Sequence, residues 1–284
     1  MAEHRFLVGL VGNGVGPSLT PALHMRAADR LGLPYIYRAV DLAEHGLDPS
    51  EIGEVLYLAE ALGYDALNIT HPCKTLVLPY LNELDERAAA LQTVNTVLLK
   101  RGQRTGHNTD WTGFVRSFKA GLPGVDVGSV ALVGAGGAGM SIGHALLFLG
   151  VRNLLIVDVL EEQAVTLAQR LQGLFPDARV AHGRPEQLTS SVAGFVHCTP
   201  TGMAEHPGVA FDVGLLRPEH WVADIVYRPL QTALLKAAEA AGCRTLNGAG
   251  MTVYQAVEAF ELVTGVTPDA SAMTAHFHEL VAAE

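Results

Sequence analysis

The chain reads as an α/β protein of two domains, the second built on a doubly wound parallel sheet. Three observations predict this. Residues Val130-Ala-Leu-Val-Gly-Ala-Gly-Gly-Ala-Gly139 set a short apolar run before a glycine-rich turn and a helical pattern. Strand-like and helix-like patterns alternate on both sides of that turn. Beyond Met251 the pattern is helical only, and too long for one more crossover.

Taken in order, Phe6-Leu-Val-Gly-Leu-Val11 is a short apolar strand, and Thr20 with Pro21 reads as an N-cap followed by the first helical position. Tyr35–Val40 is a second strand, Ile52–Leu62 a helix and Ala66–Thr70 a third strand. Thr93–Leu99 reads as a further strand with Arg101-Gly-Gln as its turn. Thr112–Lys119 is a helix leading to the loop Gly121-Leu-Pro-Gly124, which serves as a domain boundary. The second domain continues with a helix from Gly137, a strand at Leu154–Val157 and a helix over Gln163–Leu174. Strands at Arg179–Ala181, Gly194–His197 and Trp221–Ile225 follow, then a helix over Leu230–Ala241. The helices Met251–Gly265 and Ala270–Ala283 are expected to return to the first domain. The expected division is therefore 1–111, 112–250 and 251–284.

The glycine turn carries chemistry. Gly134-x-Gly136-x-x-Gly139 between a strand and a helix is the dinucleotide-binding fingerprint. Gly134 permits the tight turn, Gly136 lets a pyrophosphate approach the backbone, and Gly139 brings helix and strand close. The free N–H groups and dipole of the helix N-terminus attract phosphate. Asp158 ends the next strand, where a carboxylate accepts hydrogen bonds from a ribose diol and repels a 2′-phosphate. A glycine run alone often marks only a flexible loop. Here the helix carries Ile142, Ala145, Leu146 and Leu149 on one apolar face and the acid is in register. A Rossmann-like domain follows, with Gly134, Ala135, Gly136, Gly137, Ala138 and Asp158 on the cofactor. NAD is the expected cofactor and NADP the disfavoured alternative.

Composition narrows the partners. A chain of 284 residues with 49% apolar content can fill two cores. A net charge of −10 argues against nucleic acid or an anionic membrane as a main partner. Three cysteines, an odd and small number, fit reduced thiols in a cytoplasm, and neither a signal peptide nor a membrane span is legible. The 12 histidines are scattered, without zinc-ligand spacing, so no metal is expected.

Four segments outside the glycine turn cluster hydroxyl, amide and charged groups at strand ends or helix starts, where open α/β sheets bind ligands. They contain Ser18 and Thr20, Asn68-Ile-Thr70-His-Pro-Cys-Lys74, Val94-Asn95-Thr96, and Gly106-His-Asn108-Thr109-Asp110. Each has a plain structural explanation as well. Ser18 and Thr20 can be caps, Asn68 and Asn95 turn formers, and Asp110 the cap of the following helix.

These segments, with Cys198-Thr199-Pro-x-Gly-Met203, Asp224-x-x-Tyr227-x-Pro229, Leu246-Asn-Gly248 and Met251-x-x-x-Gln255-Ala-x-x-Ala259-Phe260, resemble the shikimate dehydrogenase family over nearly the whole chain. The closest likeness is to its NAD-dependent quinate/shikimate branch. The resemblance implies a substrate-binding catalytic domain at 1–111, an NAD-binding domain at 112–250 and C-terminal helices at 251–284 packing on the substrate domain. It implies Lys74 as the acid/base group with Asp110 beside it, and Ser18 and Thr20 on the ring carboxylate. Thr70, Asn95, Asp110 and Gln255 would hold ring hydroxyls, and Tyr227 would close the pocket. Thr199, Ile225 and Gly248 would join the cofactor side. The implied reactions are quinate to 3-dehydroquinate and shikimate to 3-dehydroshikimate. A lysine at its reference pKa of ~10.4 is a poor base near neutrality, so its surroundings must tune it.

The departures from the family are informative. Asp158-Val-Leu stands where NADP-dependent members carry Asn-Arg-Thr, and Met140 where a basic residue is common. Thr20 replaces the serine usual in biosynthetic enzymes, and in this family Ser-x-Thr accompanies the use of quinate as well as shikimate. Cys73 replaces a common aromatic and His197 a common asparagine. Three alternatives remain open: an NADP-dependent biosynthetic enzyme, a dehydrogenase of a related amino or hydroxy cyclohexene acid, and a metabolite sensor. Small molecules are the expected partners, and the reading admits a homodimer.

Overall fold

The structure is a computed structural model in which residues 5–283 are described. The chain divides into two compact units, Met1–Thr109 with Val253–Glu284, and Asp110–Thr252.

The first unit holds a mixed six-stranded sheet in the order β2-β1-β3-β5-β6-β4. The strands are β1 (Phe6–Gly12), β2 (Tyr35–Asp41), β3 (Ala66–Ile69), β4 (Glu83–Leu84), β5 (Thr96–Lys100) and β6 (Gln103–His107). Between them run the helices α1 (Thr20–Arg30), α2 (Ile52–Ala61), α3 (Cys73–Leu76) and α4 (Glu86–Leu91). β1 pairs in parallel with β2 and β3, whereas β5 runs antiparallel to β3 and β6. One core cluster gathers Val11, Ile52, Leu56, Leu67, Ile69 and Cys73. Cys73 is fully buried with its Sγ 3.9 Å from the Pro49 carbonyl, and burial raises its thiol pKa, so it packs rather than reacts.

Three expectations for this unit are corrected. Leu19, not Thr20, is the N-cap of α1, and Thr20 and Pro21 already lie inside the helix. The expected strand Thr93–Leu99 starts only at Thr96, because Thr93–Asn95 spend their polar groups on side-chain partners and on Lys74 and His107 carbonyls. A strand unread in the sequence, β6, returns beside β5. Arg101 and Gly102, both at positive φ, turn the hairpin so that Lys100 faces Gln103.

The second unit opens with α5 (Asp110–Gly121), so Asp110 is the first residue of that helix and the loop Gly121–Gly124 lies inside the unit, not at its border. Its six-stranded sheet is parallel throughout, in the order β12-β11-β10-β7-β8-β9. The elements are β7 (Ser129–Val133), α6 (Gly137–Phe148), β8 (Asn153–Val157), α7 (Glu161–Leu174), β9 (Arg179–Gly183), β10 (Gly194–His197), β11 (Trp221–Asp224), α8 (Ala233–Ala240) and β12 (Arg244–Leu246). Counted within the unit from β7, this is the 3-2-1-4-5-6 strand order of the Rossmann fold. The central strands β7, β10 and β11 are buried almost throughout, as a sheet covered on both faces requires, with Phe195 and Trp221 almost wholly buried. α8 begins later than the expected Leu230, because Thr232 caps it by accepting from the Leu235 N–H at 3.2 Å.

The helix α9 (Ala249–Thr264) carries the chain back, and α10 (Ala270–Ala282) packs on α1 in the first unit. Phe260 of α9 stacks on Tyr35 with ring centroids 5.3 Å apart. No helix among the described residues is long and apolar enough to cross a membrane.

Candidate functional site

In the first unit the polar segments converge at the ends of β1, β3 and β5. Gly12 ends β1, and a Cβ there would collide with the Thr70 methyl and the His71 carbonyl, so only glycine lets the two strand ends close. The Asn13 N–H donates to His71 O at 3.0 Å and the Thr70 N–H to Val11 O at 2.9 Å. The loop carrying Ser18 is tied to β2 through Asp41, whose buried carboxylate accepts from the Val15 N–H at 2.8 Å and the Ala43 N–H at 3.2 Å. Burial pushes the Asp41 pKa up, but the N–H groups of Val15, Gly14, Gly16 and Ala43 together outweigh it and hold the carboxyl below its ordinary value. Ser18 Oγ accepts from the Thr20 N–H at 3.3 Å, and both side chains are half-buried.

Lys74 sits in α3, half-buried, and its carbonyl accepts from the Val94 N–H at 2.9 Å, which fixes the short helix to the segment leading into β5. Asn95 is the hub. Its amide donates to Thr109 Oγ1 at 2.9 Å and Gln255 Oε1 at 3.2 Å, and its carbonyl accepts from the Thr109 N–H at 2.9 Å and Thr96 Oγ1 at 3.2 Å. Asn68 extends the network by donating to Thr96 Oγ1 at 2.8 Å and accepting from the Tyr37 hydroxyl at 2.7 Å. Asn95 and Gln255, far apart in the chain, are thus brought into contact. Thr96 belongs to the Val94-Asn95-Thr96 segment singled out in the sequence, whereas Tyr37, within β2, carried no such signal.

Against Tyr37, His24 is fully buried among Tyr35, Tyr37 and Phe260, with Nδ1 3.2 Å from the Tyr35 hydroxyl and Nε2 lacking a partner. Burial lowers its pKa to about 3.

In the second unit the glycine turn has the shape of a phosphate cradle. Gly134 lies at φ 107°, and a Cβ there would come within 2.8 Å of the Thr199 methyl. A Cβ at Gly139 would strike the Gly134 carbonyl, whereas none at Gly136 or Gly137 would meet a protein atom within 4 Å. Gly136 caps α6 without any side-chain acceptor, so the first-turn N–H groups over Gly137 and Ala138 have no side-chain cap. These features fit a dinucleotide pyrophosphate. Asp158 closes the turn: Oδ2 accepts from the Ala135 N–H at 2.7 Å and Oδ1 from the Leu160 N–H at 2.8 Å. Each carboxylate oxygen keeps a lone pair for a ribose hydroxyl.

At the ends of β10 and β11, Thr199, Ile225 and Tyr227 are half-buried, and the Ile225 N–H donates to His197 O at 3.1 Å. Gly248 lies so close to the Ile225 carbonyl that a Cβ would overlap it, and its N–H donates to Val226 O at 3.2 Å. Asp224 and His197, which close two apolar strands, form a buried polar group that sequence reasoning left without a role. Among the described residues no three histidine, cysteine or acidic side chains are grouped to hold a metal.

Residues 10–97 match the family described as the shikimate dehydrogenase substrate binding domain, and residues 248–276 the shikimate 5′-dehydrogenase C-terminal domain. A shikimate dehydrogenase (NADP(+)) of Streptomyces avermitilis is 50% identical over 283 residues, covering 99% of this chain and 97% of the relative. A quinate/shikimate dehydrogenase (NAD(+)) of Corynebacterium efficiens is 41% identical over 285 residues, covering 99% and 100%. Quinate dehydrogenase from Corynebacterium glutamicum, solved in complex with NAD, superposes with a TM-score of 0.91 at 41% identity, covering 97% of this chain and 99% of that one. The chain belongs to the shikimate dehydrogenase family of oxidoreductases.

Proposed function

We propose that the protein is an NAD-dependent quinate/shikimate dehydrogenase, oxidising quinate to 3-dehydroquinate and shikimate to 3-dehydroshikimate with hydride passing to nicotinamide. The observation that carries the cofactor choice is Asp158, a carboxylate anchored by two backbone N–H groups at the end of β8. It accepts from the 2′- and 3′-hydroxyls of an adenosine ribose and repels a 2′-phosphate. Gly134, Ala135, Gly136, Gly137 and Ala138 surround the pyrophosphate, and Thr199, Ile225 and Gly248 take the nicotinamide half.

Lys74 exchanges the proton of the reacting hydroxyl and Asp110 orients it. Ser18 and Thr20 bind the carboxylate. Thr70, Asn95, Asp110 and Gln255 bind ring hydroxyls, and Tyr227 covers the ring. The paired amides around Asn95 support this, because a site of directional donors and acceptors is what a polyhydroxylated ring requires. An NADP-dependent shikimate dehydrogenase is the second reading, favoured by the 50% identical relative of that name.

Initial rates with quinate and shikimate, each against NAD and NADP, separate the two. The expected result is turnover of both acids and a higher kcat/KM with NAD, with Asp158→Ala narrowing the preference. A higher kcat/KM with NADP would establish the second reading, and no quinate oxidation at saturating NAD would make the enzyme strict for shikimate.

A further inference from the structure

Two Asn-Gly pairs occur in the chain, Asn13-Gly14 and Asn247-Gly248, and every other asparagine precedes isoleucine, leucine, threonine or glutamate. An asparagine before glycine is prone to ring closure, because glycine has no Cβ to keep its nitrogen from the side-chain carbonyl carbon. The structure treats the two pairs oppositely. Asn13 and Gly14 are exposed just past β1, Gly14 lies at φ 65°, and a Cβ there would meet nothing within 4 Å. The main-chain N–H of Asn13 is tied to His71 O at 3.0 Å, but its side-chain amide has no hydrogen-bond partner among the described residues. The Gly14 N–H faces the Asp41 carboxylate, an acceptor for the proton that ring closure releases. Asn247, by contrast, is half-buried, and its Oδ1 accepts from the Ala249 N–H at 3.2 Å. Gly248 is buried, with its N–H on Val226 O at 3.2 Å and no room for a Cβ beside the Ile225 carbonyl. Neither half of that pair is free to reach the geometry of attack.

We propose that Asn13 is a site of spontaneous deamidation, and that the conversion disables the loop carrying Ser18. The Gly14 nitrogen bonds to Asn13 Cγ and gives up its proton, which passes by way of Asp41 to the departing ammonia as the Cγ–NH2 bond breaks. Water then opens either C–N bond of the resulting succinimide and leaves aspartate or isoaspartate at residue 13. No oxidant or reductant takes part. Both products add a carboxylate to a loop that is tied to Asp41 and runs on to Ser18. Isoaspartate also adds a methylene to the main chain between residues 13 and 14, which draws the Val15 N–H off Asp41. The loss of function rests on the reading of Ser18 as a ligand of the substrate carboxylate, whereas the modification itself does not.

The test is peptide mapping by mass spectrometry of the full chain, held for days in mildly alkaline buffer at physiological temperature. Asn13 converts at least about tenfold faster than Asn247, the difference between a free and a locked near-attack geometry. Isoaspartate is among the products, and the rate rises with pH. Quinate KM rises in step with the converted fraction while the dinucleotide Kd does not. Asn13→Gln, whose side chain must close a larger ring, stays intact through the same incubation and keeps its KM. An intact Asn13, or one converting no faster than Asn247, overturns the site. Conversion with KM unchanged, or an equal rise of KM in Asn13→Gln, overturns the effect on the Ser18 loop. Where quinate is not turned over, the shikimate KM is read instead, and the mapping needs no substrate at all.

Discussion

The two units offer different materials for recognition. In the first, Asn95, Asn68, Thr96, Thr109 and Gln255 pair neutral side chains with one another in a buried network. In the second, the glycine turn presents backbone N–H groups without a side-chain cap, and Asp158 is itself held by the N–H groups of Ala135 and Leu160. The difference follows from the ligands each would take. Ring hydroxyls differ only in direction, so they are told apart by side chains locked in one rotamer. A pyrophosphate carries spread charge, which a helix N-terminus meets without any side chain. The side-chain network is the more costly to disturb, since each buried partner removed leaves another unsatisfied.

The sharpest way to break this contrast is Lys74→Ala. It should lower kcat by about 10²–10⁴-fold with far less change in substrate KM, as expected for a proton-transfer group. A kcat within a few-fold of wild type in steady-state assays would remove Lys74 from the chemistry.

The buried side chains of the first unit also set an acid limit. The folded pKa of His24 is about 3, against ~6.5 for an unfolded histidine. The unfolded chain therefore takes up the proton first as pH falls. Stability is full above about pH 6.5 and is lost progressively toward pH 3, by on the order of 4 kcal/mol. Denaturant titrations at stepped pH should show this slope, and His24→Phe should flatten it; an unchanged slope would place the acid sensitivity elsewhere. The smallest effect is expected from Thr20→Ser. Its missing methyl should shift the quinate-to-shikimate ratio of kcat/KM toward shikimate by a few-fold, a methyl in a fitted pocket being worth roughly 1–3 kcal/mol. An unchanged ratio would move quinate selection away from this helix start.

What was legible in the sequence is uneven for physical reasons. The strand–glycine–helix of 130–148 could be read because periodicity, turn and acid all fall within one crossover. β6 was hidden because Gln103-Arg-Thr-Gly-His107 lacks an apolar alternation, and only the turn at Arg101 and Gly102 announced a hairpin. β12 is three residues long and leaves almost no pattern. Asn95 and Gln255 were named through family resemblance, but their mutual bond joins residues from opposite ends of the chain and no local pattern encodes it. Asp224 and His197 are charged or polar residues closing apolar strands of a parallel sheet, a signal that marks strand ends near a ligand yet says nothing of pairing.

The most direct test of the division between side-chain and backbone recognition is calorimetry of quinate and NAD with Asn95→Ala and Asp158→Ala. Asn95→Ala should weaken quinate by about 10-fold or more, the loss of one to two hydrogen bonds, and leave NAD within about twofold. Asp158→Ala should do the reverse. If either variant weakened both ligands alike, recognition would not be divided between the side-chain network and the glycine turn.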